Sequence, residues 1–311
     1  MSTEYTSSYT ANYTSSMRES IADAITNIAP TDCAFTNAIK KGKAVAKYEQ
    51  WQEDTLTAPS SANAQVEGLD VTATEITYPT NAHNYTQHSH KVFKLADVME
   101  YVDKVGRSSE VAYQKGKHLA ELKTEVEYDM LNTAAEAAGD GTGTGRASCG
   151  VKGFITTNDN DWTSPATTNV LTEDIFNDAM QDAWDQGGKP SLCLAPGKVK
   201  RVISAFNGNN KITINTEDSD KKVINTVDFY EGDFATVKIV ASRFIALDSS
   251  TTYFSTFLLQ PDMWEQLILM PYRTVELAKA GPSTKWMIDV EYTLKCRSQK
   301  ANARIKNIYI A

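Results

Sequence analysis

Hydrophobic and polar residues alternate without a break in KWMIDVEYTLKCR, residues 285–297, where Trp286, Ile288, Val290, Tyr292, Leu294 and Cys296 share one side of an extended chain. A period of two over that length predicts a β-strand with one buried face. A different period runs from Ser108 to about Ala138, with Val111, Leu119, Leu122, Val126 and Met130 at helical spacing and no proline. That pattern predicts one long helix, roughly 45 Å end to end. Its apolar side is thin, so it reads as a strut with one packed edge rather than a helix sunk in a core.

Shorter patterns fill in the rest. Leu171–Trp184 predicts a helix capped by Thr172, stapled by Leu171 onto Phe176 and ended by Gly187, Gly188 and Pro190. Leu192–Ala195 predicts a buried strand and Lys198–Phe206 a short helix. Beyond these the chain reads as mostly β, with strands at Lys211–Asn215, Val223–Tyr230, Ala235–Ala241, Tyr253–Leu259 and Trp264–Leu269. Residues 1–16 are rich in Ser, Thr and Tyr and predict a mobile arm. Met17, Ile21, Ala24, Ile25 and Ile28 then mark a short amphipathic helix stopped by Pro30, and an apolar piece leads from Asp32 to Ile39.

Residues 48–90 break the pattern. They contain no Lys and no Arg, yet carry Glu49, Glu53, Asp54, Glu67, Asp70 and Glu75. Their ends, Tyr48–Leu56 and Tyr85–Leu95, look strand-like, while the centre has few large apolar residues. Such a segment buries little against its own chain, which leaves a lid, a disordered loop, or an arm that packs on a neighbour. The run GDGTGTGRASCG, residues 139–150, reads as a flexible connection after the long helix.

Composition narrows the function classes. A chain of 311 residues with net charge −8 is large enough for a real core and two domains, and is not built to grip nucleic acid. The opening MSTEYTSSYTANYTSS has neither an apolar core nor an early basic cluster, so a secretory signal is not expected there. No apolar run approaches the roughly 18 residues that span a bilayer. Cys33, Cys149, Cys193 and Cys296 are dispersed and read as reduced, small buried side chains.

Candidate chemistry is thin. His88 and His90 fall on one face of a strand with His83 upstream, but no further ligand follows at zinc-site spacing, so a solvated pair is the expectation. The glycine run lacks the Lys of a phosphate-binding loop and follows a helix rather than a strand. His118 sits in the long helix, expected exposed, and the tryptophans, among them Trp51, Trp184, Trp264 and Trp286, read as core or contact anchors. No catalytic residue, metal site or cofactor is expected.

Five blocks, in order, carry a family resemblance: IADAITNIAPTDCAFTNAI (21–39), YEQWQEDTLTAP (48–59), AQVEGLDV (64–71), residues 84–131, and LAKAGPSTKWMIDVEYTLKCRSQKANARI (277–305). With them the chain resembles the major capsid proteins of tailed bacteriophages, in the group typified by elongated-head podoviruses. Cys33-Ala34 stands where that family leads one to expect Thr-Pro. The resemblance implies an α+β Hong Kong 97-like fold. Residues 1–47 would be the N-terminal arm and 48–95 the extended loop, a two-stranded arm lying on an adjacent subunit. Residues 96–167 and 266–311 would form the peripheral domain, with a spine helix over 108–138, and 168–265 the axial domain.

Function would then be assembly of a homo-oligomeric shell of hexamers and pentamers, enclosing double-stranded DNA without sequence-specific binding and needing no membrane. A separate scaffolding protein, a portal and decoration proteins are the implied partners, with assembly in the host cytoplasm and the virion as destination. Expected inter-subunit contacts are Glu49, Trp51, Glu53, Asp54, Glu67, His88 and His90 on the loop. Lys115, Lys117 and Lys123 on the spine helix are the expected basic acceptor. Rival readings are an encapsulin-like compartment, a phage tail-tube protein, and a metal-dependent enzyme using His83, His88 and His90.

Overall fold

The computed structural model describes residues 30–61, 78–102, 108–161, 170–206, 228–248, 253–279 and 281–309, with residues 64, 66–68, 70, 75 and 76. The alternating strand predicted near the C-terminus is β11 (Ser283–Cys296), the centre of a four-stranded sheet. Antiparallel partners flank it: β10 (Trp264–Leu277) on one side and β4 (Gln87–Ala96) on the other. A short strand, β1 (Lys40–Lys43), runs parallel to β10 and forms the sheet edge.

Helix α3 (Glu110–Asn132) packs on this sheet, its N-terminus capped by the Ser109 side chain, which accepts from the Ala112 N–H. Leu122, Val126 and Met130 join Ile288, Val290, Tyr292 and Leu294 in one buried cluster, so the thin helical stripe meets the alternating strand face. The preceding turns are α1 (Ala34–Ala38) and α2 (Val98–Tyr101).

A six-stranded sheet has the order β5-β12-β9-β6-β8-β7. In chain order these are β5 (Asp159–Asp161), β6 (Leu192–Ala195), β7 (Phe229–Glu231), β8 (Thr236–Ala241), β9 (Tyr253–Leu259) and β12 (Ala303–Tyr309). The strand period divides its core. Leu192, Leu194, Phe257 and Leu259 join the cluster under α3. Cys193, Ala195, Leu258 and Ile305 pack instead with Phe176, Met180 and Val199 of α5 (Glu173–Asp185) and α6 (Gly197–Ile203). The Thr172 cap on α5 forms as expected, accepting from the Ile175 N–H. The third sheet is a hairpin of β2 (Tyr48–Glu53) and β3 (Thr80–Tyr85).

Several expectations are corrected. The long helix ends at Asn132, six residues before Ala138, although TAAEAA is a helix-forming run. Tertiary contacts override propensity there: Asn132 bonds the Phe244 carbonyl and the Ala246 N–H, both at 2.6 Å, and Gly150 N–H donates to Thr133 O at 2.9 Å. The one-turn α4 (Val151–Phe154) then packs beside the helix end. Strand β10 extends eight residues past Leu269, and β4 pairs with β11 in the central sheet, while β3 pairs with β2. The six-stranded sheet also draws β5 and β12 from outside residues 168–265.

The glycine run is not a slack tether. Asp140 accepts from the N–H groups of Thr142, Gly143 and Thr144, and Ala137 bridges Ala147. Positive φ angles at Gly139 and Gly141 permit that turn. His118 is half-buried, stacked on Phe93 at 5.1 Å, and Cys33 is half-buried while the other three cysteines are buried. The expectations for residues 1–28 and 211–215, and for most of 223–230, lie outside the described residues.

Candidate assembly interface

The polar positions of β11 carry the least expected chemistry. Alternation predicts Asp289, Glu291 and Thr293 to face water, yet they are 0%, 6% and 0% exposed. Each has found a partner from a distant segment. Asp289 accepts a two-pronged bond from Arg273 at 2.8 and 2.9 Å, and His88 Nε2 lies 3.3 Å away. Glu291 accepts from Arg146 at 2.5 Å and from the Thr86 hydroxyl at 2.7 Å. Thr293 meets the Ser148 hydroxyl at 3.3 Å.

These groups root the hairpin arm. Buried Asn84, in β3, donates to the carbonyls of Leu294 (2.7 Å) and Cys149 (3.1 Å) and accepts from Cys149 N–H at 2.8 Å. Thr86 N–H donates to Lys47 O at 2.9 Å, and His83 Nε2 lies 2.6 Å from Glu136 Oε1. The closed glycine turn therefore serves to hold Arg146 and Ser148 beneath the arm.

Beyond the root, polar and apolar groups lie open. Leu56, Ile76 and Tyr78 are 100%, 83% and 83% exposed, and Asp54 and Glu67 are exposed beside them. These three large apolar side chains find no cover among the described residues of their own chain.

The expected contact residues divide accordingly. Trp51 is buried within its own chain, against Phe154 at 6.1 Å, with its indole N–H on Glu53 at 3.2 Å. Glu49 accepts from Ala46 N–H at 2.8 Å and so fixes the turn into β2. Both serve the arm root, as does Glu53. His88 and His90 stack at 5.6 Å on the exposed side of β4, with His88 Nε2 reaching Asp289 at 3.3 Å. Lys115 sits 3.4 Å over the Trp286 ring, and Lys117 lies 3.9 Å from Glu121, so only Lys123 of the three is exposed without such a partner. What sequence reasoning missed was Arg146, Arg273, Asp289 and Glu291; charged residues inside an alternating strand were the one available signal.

The remaining titratable groups have structural explanations. Burial pushes the Cys149 thiol up to about 11, and raises Cys193 and Cys296 further, so these thiols stay protonated and unreactive. Backbone N–H groups, Thr144 first, hold the Asp140 carboxyl well below its usual range. No group of three or more metal-ligating side chains occurs among the described residues, and no described helix is long and apolar enough to cross a membrane.

A spine helix on a long antiparallel sheet, a rooted hairpin arm and a separate six-stranded sheet define a shell-forming subunit of the Hong Kong 97 type. The capsid of Myoviridae phage XM1 matches with a TM-score of 0.60 at 12% identity, over 93% of this chain and 96% of that one. The SrpI encapsulin of Synechococcus elongatus PCC 7942 matches with a TM-score of 0.59 at 10% identity, over 92% of each chain. Within this fold, the family model of the SU10 major capsid protein matches residues 2–309, and the chain belongs to that family. It is 25% identical to the major capsid protein of Escherichia phage Phieco32, over 90% of this chain and 91% of that one. The chain is thus a major capsid protein, a structural component of a virion that assembles into a multimeric shell.

Proposed function

We propose that this chain builds its shell from hexamers and pentamers by laying the arm of each subunit across the next, in a head of the elongated podovirus type. The observation that carries the reading is the arm itself: fixed at its root by Asn84, Thr86 and Arg146, and open along its length at Leu56, Ile76 and Tyr78. Residues 168–265, with β5 and β12 completing their sheet, then gather around the symmetry axes, and the rest of 96–167 and 266–311 forms the periphery. The shell encloses double-stranded DNA without reading its sequence, which suits a chain of net charge −8. A separate scaffolding protein, a portal and decoration proteins complete the assembly in the host cytoplasm.

Negative-stain microscopy of the protein, expressed with and without its neighbouring phage genes, tests this. Closed shells or rings of five and six are expected. Tubes would indicate a tail protein, and a compact monomer even with those partners would overturn the reading. Nucleic acid inside the shell would also eliminate the encapsulin-like alternative, a compartment for protein cargo.

A further inference from the structure

Where does an acidic arm land? Residues 48–90 carry no cation, and beyond β2 their carboxylates, Asp54, Glu67, Asp70 and Glu75 among them, are exposed. In a shell made of one chain, the surface that receives them is displayed by that same chain. The spine helix offers a single open lysine of the three, Lys123, because Lys115 covers Trp286 and Lys117 faces Glu121.

A better match lies immediately before the arm. The segment KKGKAVAK, residues 40–47, holds four lysines in eight residues. Lys40 is paired with Asp262 at 2.9 Å. Lys41, Lys43 and Lys47 are exposed and form no ion pair among the described residues. Lys41 and Lys43 alternate with Gly42, so they share one face of β1. Moreover, β1 is the edge strand of the central sheet, with β10 as its one strand partner among the described residues. An edge strand studded with lysine repels a second lysine-rich edge and attracts an acidic extended segment. Among the described residues no carboxylate of their own arm root pairs with these lysines; Glu49 and Glu53 instead accept from Ala46 N–H and the Trp51 indole. The arm is long enough to reach a neighbour: a chain of the length of 54–79 can span at most roughly 40 Å out and back.

We propose that Lys41 and Lys43 on the β1 edge, with Lys47 beyond it at the entry to β2, form the landing strip for the acidic arm of a neighbouring copy of this chain. The inference rests on the reading that the arm lies on a neighbour, and names the receiving surface. The pairing is between Lys ammonium groups and the carboxylates of Asp54, Glu67, Asp70 and Glu75, and so weakens with salt.

A charge-swap cycle in the full chain tests it. K41E/K43E/K47E and D54K/E67K/E75K are each expected to lower the yield of shells by about tenfold or more at low salt, and the combined six-residue variant to recover most of it. Circular dichroism of each unassembled variant establishes that it is folded, as expected for exposed sites. If reversing the arm leaves yield unchanged, the arm-on-neighbour reading itself fails. If arm reversal impairs assembly but lysine reversal does not, or the combination gives no recovery, the landing strip fails and the reading survives. Rescue of the arm variant by K117E/K123E instead would move the acceptor to the spine helix and overturn the proposal. Lysine-reversed shells that close normally but lose DNA would assign the strip to nucleic acid, which also overturns it. Carbodiimide coupling of mixed light and heavy-isotope subunits gives an independent reading: mixed-label peptides joining residues 40–47 to residues 54–75 are expected, and same-label pairs alone would count against the proposal.

Discussion

Glu127, fully buried on the spine helix, accepts the backbone N–H groups of Phe35 and Thr36 at 2.7 and 2.8 Å, together with the Thr36 hydroxyl. One carboxylate therefore satisfies the buried N–H groups at the start of α1 and ties the entering chain to α3 across more than 90 residues of sequence. Replacing Glu127 with Ala leaves those donors buried without partners and is expected to cost about 3 kcal/mol. Glu127→Gln, which keeps one acceptor oxygen, should lose less. Urea unfolding of the unassembled subunit measures both.

Arg146 holds Glu291 and Thr86 at the arm root. Arg146→Met leaves Glu291, whose side chain is 8% exposed, without its counter-charge, and a loss of about 3 kcal/mol is expected. The arm should also become a preferred protease target. Thermal unfolding and limited trypsin digestion check the two effects, and an unchanged melting temperature would contradict the role given to Arg146.

The pH dependence has two opposed contributions. Hydrogen bonding from Arg273 holds Asp289 below the usual carboxylate value of 3.8, so its stabilisation is fully present above that value and is lost as pH falls through the lowered one. Asp289→Asn is therefore expected to lower stability at neutral pH, by about 2 kcal/mol, with the difference from the parent shrinking in acid. Melting temperatures of parent and variant should keep a constant gap from pH 7 down to about pH 4 and draw together only below that, as pH falls through the lowered value.

Asp129 works the other way. Burial raises its pKa, despite hydrogen bonds from Gln87 and Tyr292, so the folded state favours the protonated form and is weakened above the raised value. Asp129→Asn should be neutral or stabilising at pH 7 and lose that advantage as pH falls through the raised value. The same melting series decides this, and a clear destabilisation at neutral pH would refute it.

Gly150 and Gly153 let two backbones meet. A Cβ at Gly150 would lie 2.7 Å from Met130 O and 2.8 Å from Asp129 O, and one at Gly153 would lie 2.3 Å from Ala134 O. Backbone at a helix end cannot retreat as a side-chain tip can, so Gly153→Ala is expected to cost about 3 kcal/mol or more. Soluble yield and the urea midpoint report it, while Gly145→Ala, in open space, serves as the silent control.

The extended loop has no lysine between Lys47 and Lys91, so it cannot supply the amine of a Lys–Asn crosslink. Mature shells are expected to run as single chains on a boiled denaturing gel; a ladder of multimers would contradict this.

The sequence by itself determined the elements whose signal is local. Period two identified β11, the short apolar run Leu192–Ala195 marked β6, and Thr172 fixed the start of α5, because such signals depend on residues a few positions apart. The absence of cations from 48–90 and the ordered family blocks marked the arm and the shell. Tertiary structure decided where elements stop and which charges are used up. The long helix ends at Asn132 because Phe244, Ala246 and Gly150 claim its last polar groups, not because its alanines disfavour helix. Asp289 and Glu291 looked like a solvent-facing row, and became a buried one through Arg273 and Arg146, 16 and 145 residues away. Lys115 looked free for a neighbour and lies on Trp286, whereas Lys41 and Lys43 gained their meaning from β1 falling at a sheet edge. Periodicity records how a residue relates to its own helix or strand; pairing energies depend on distances between segments, and those exist only once the chain has folded.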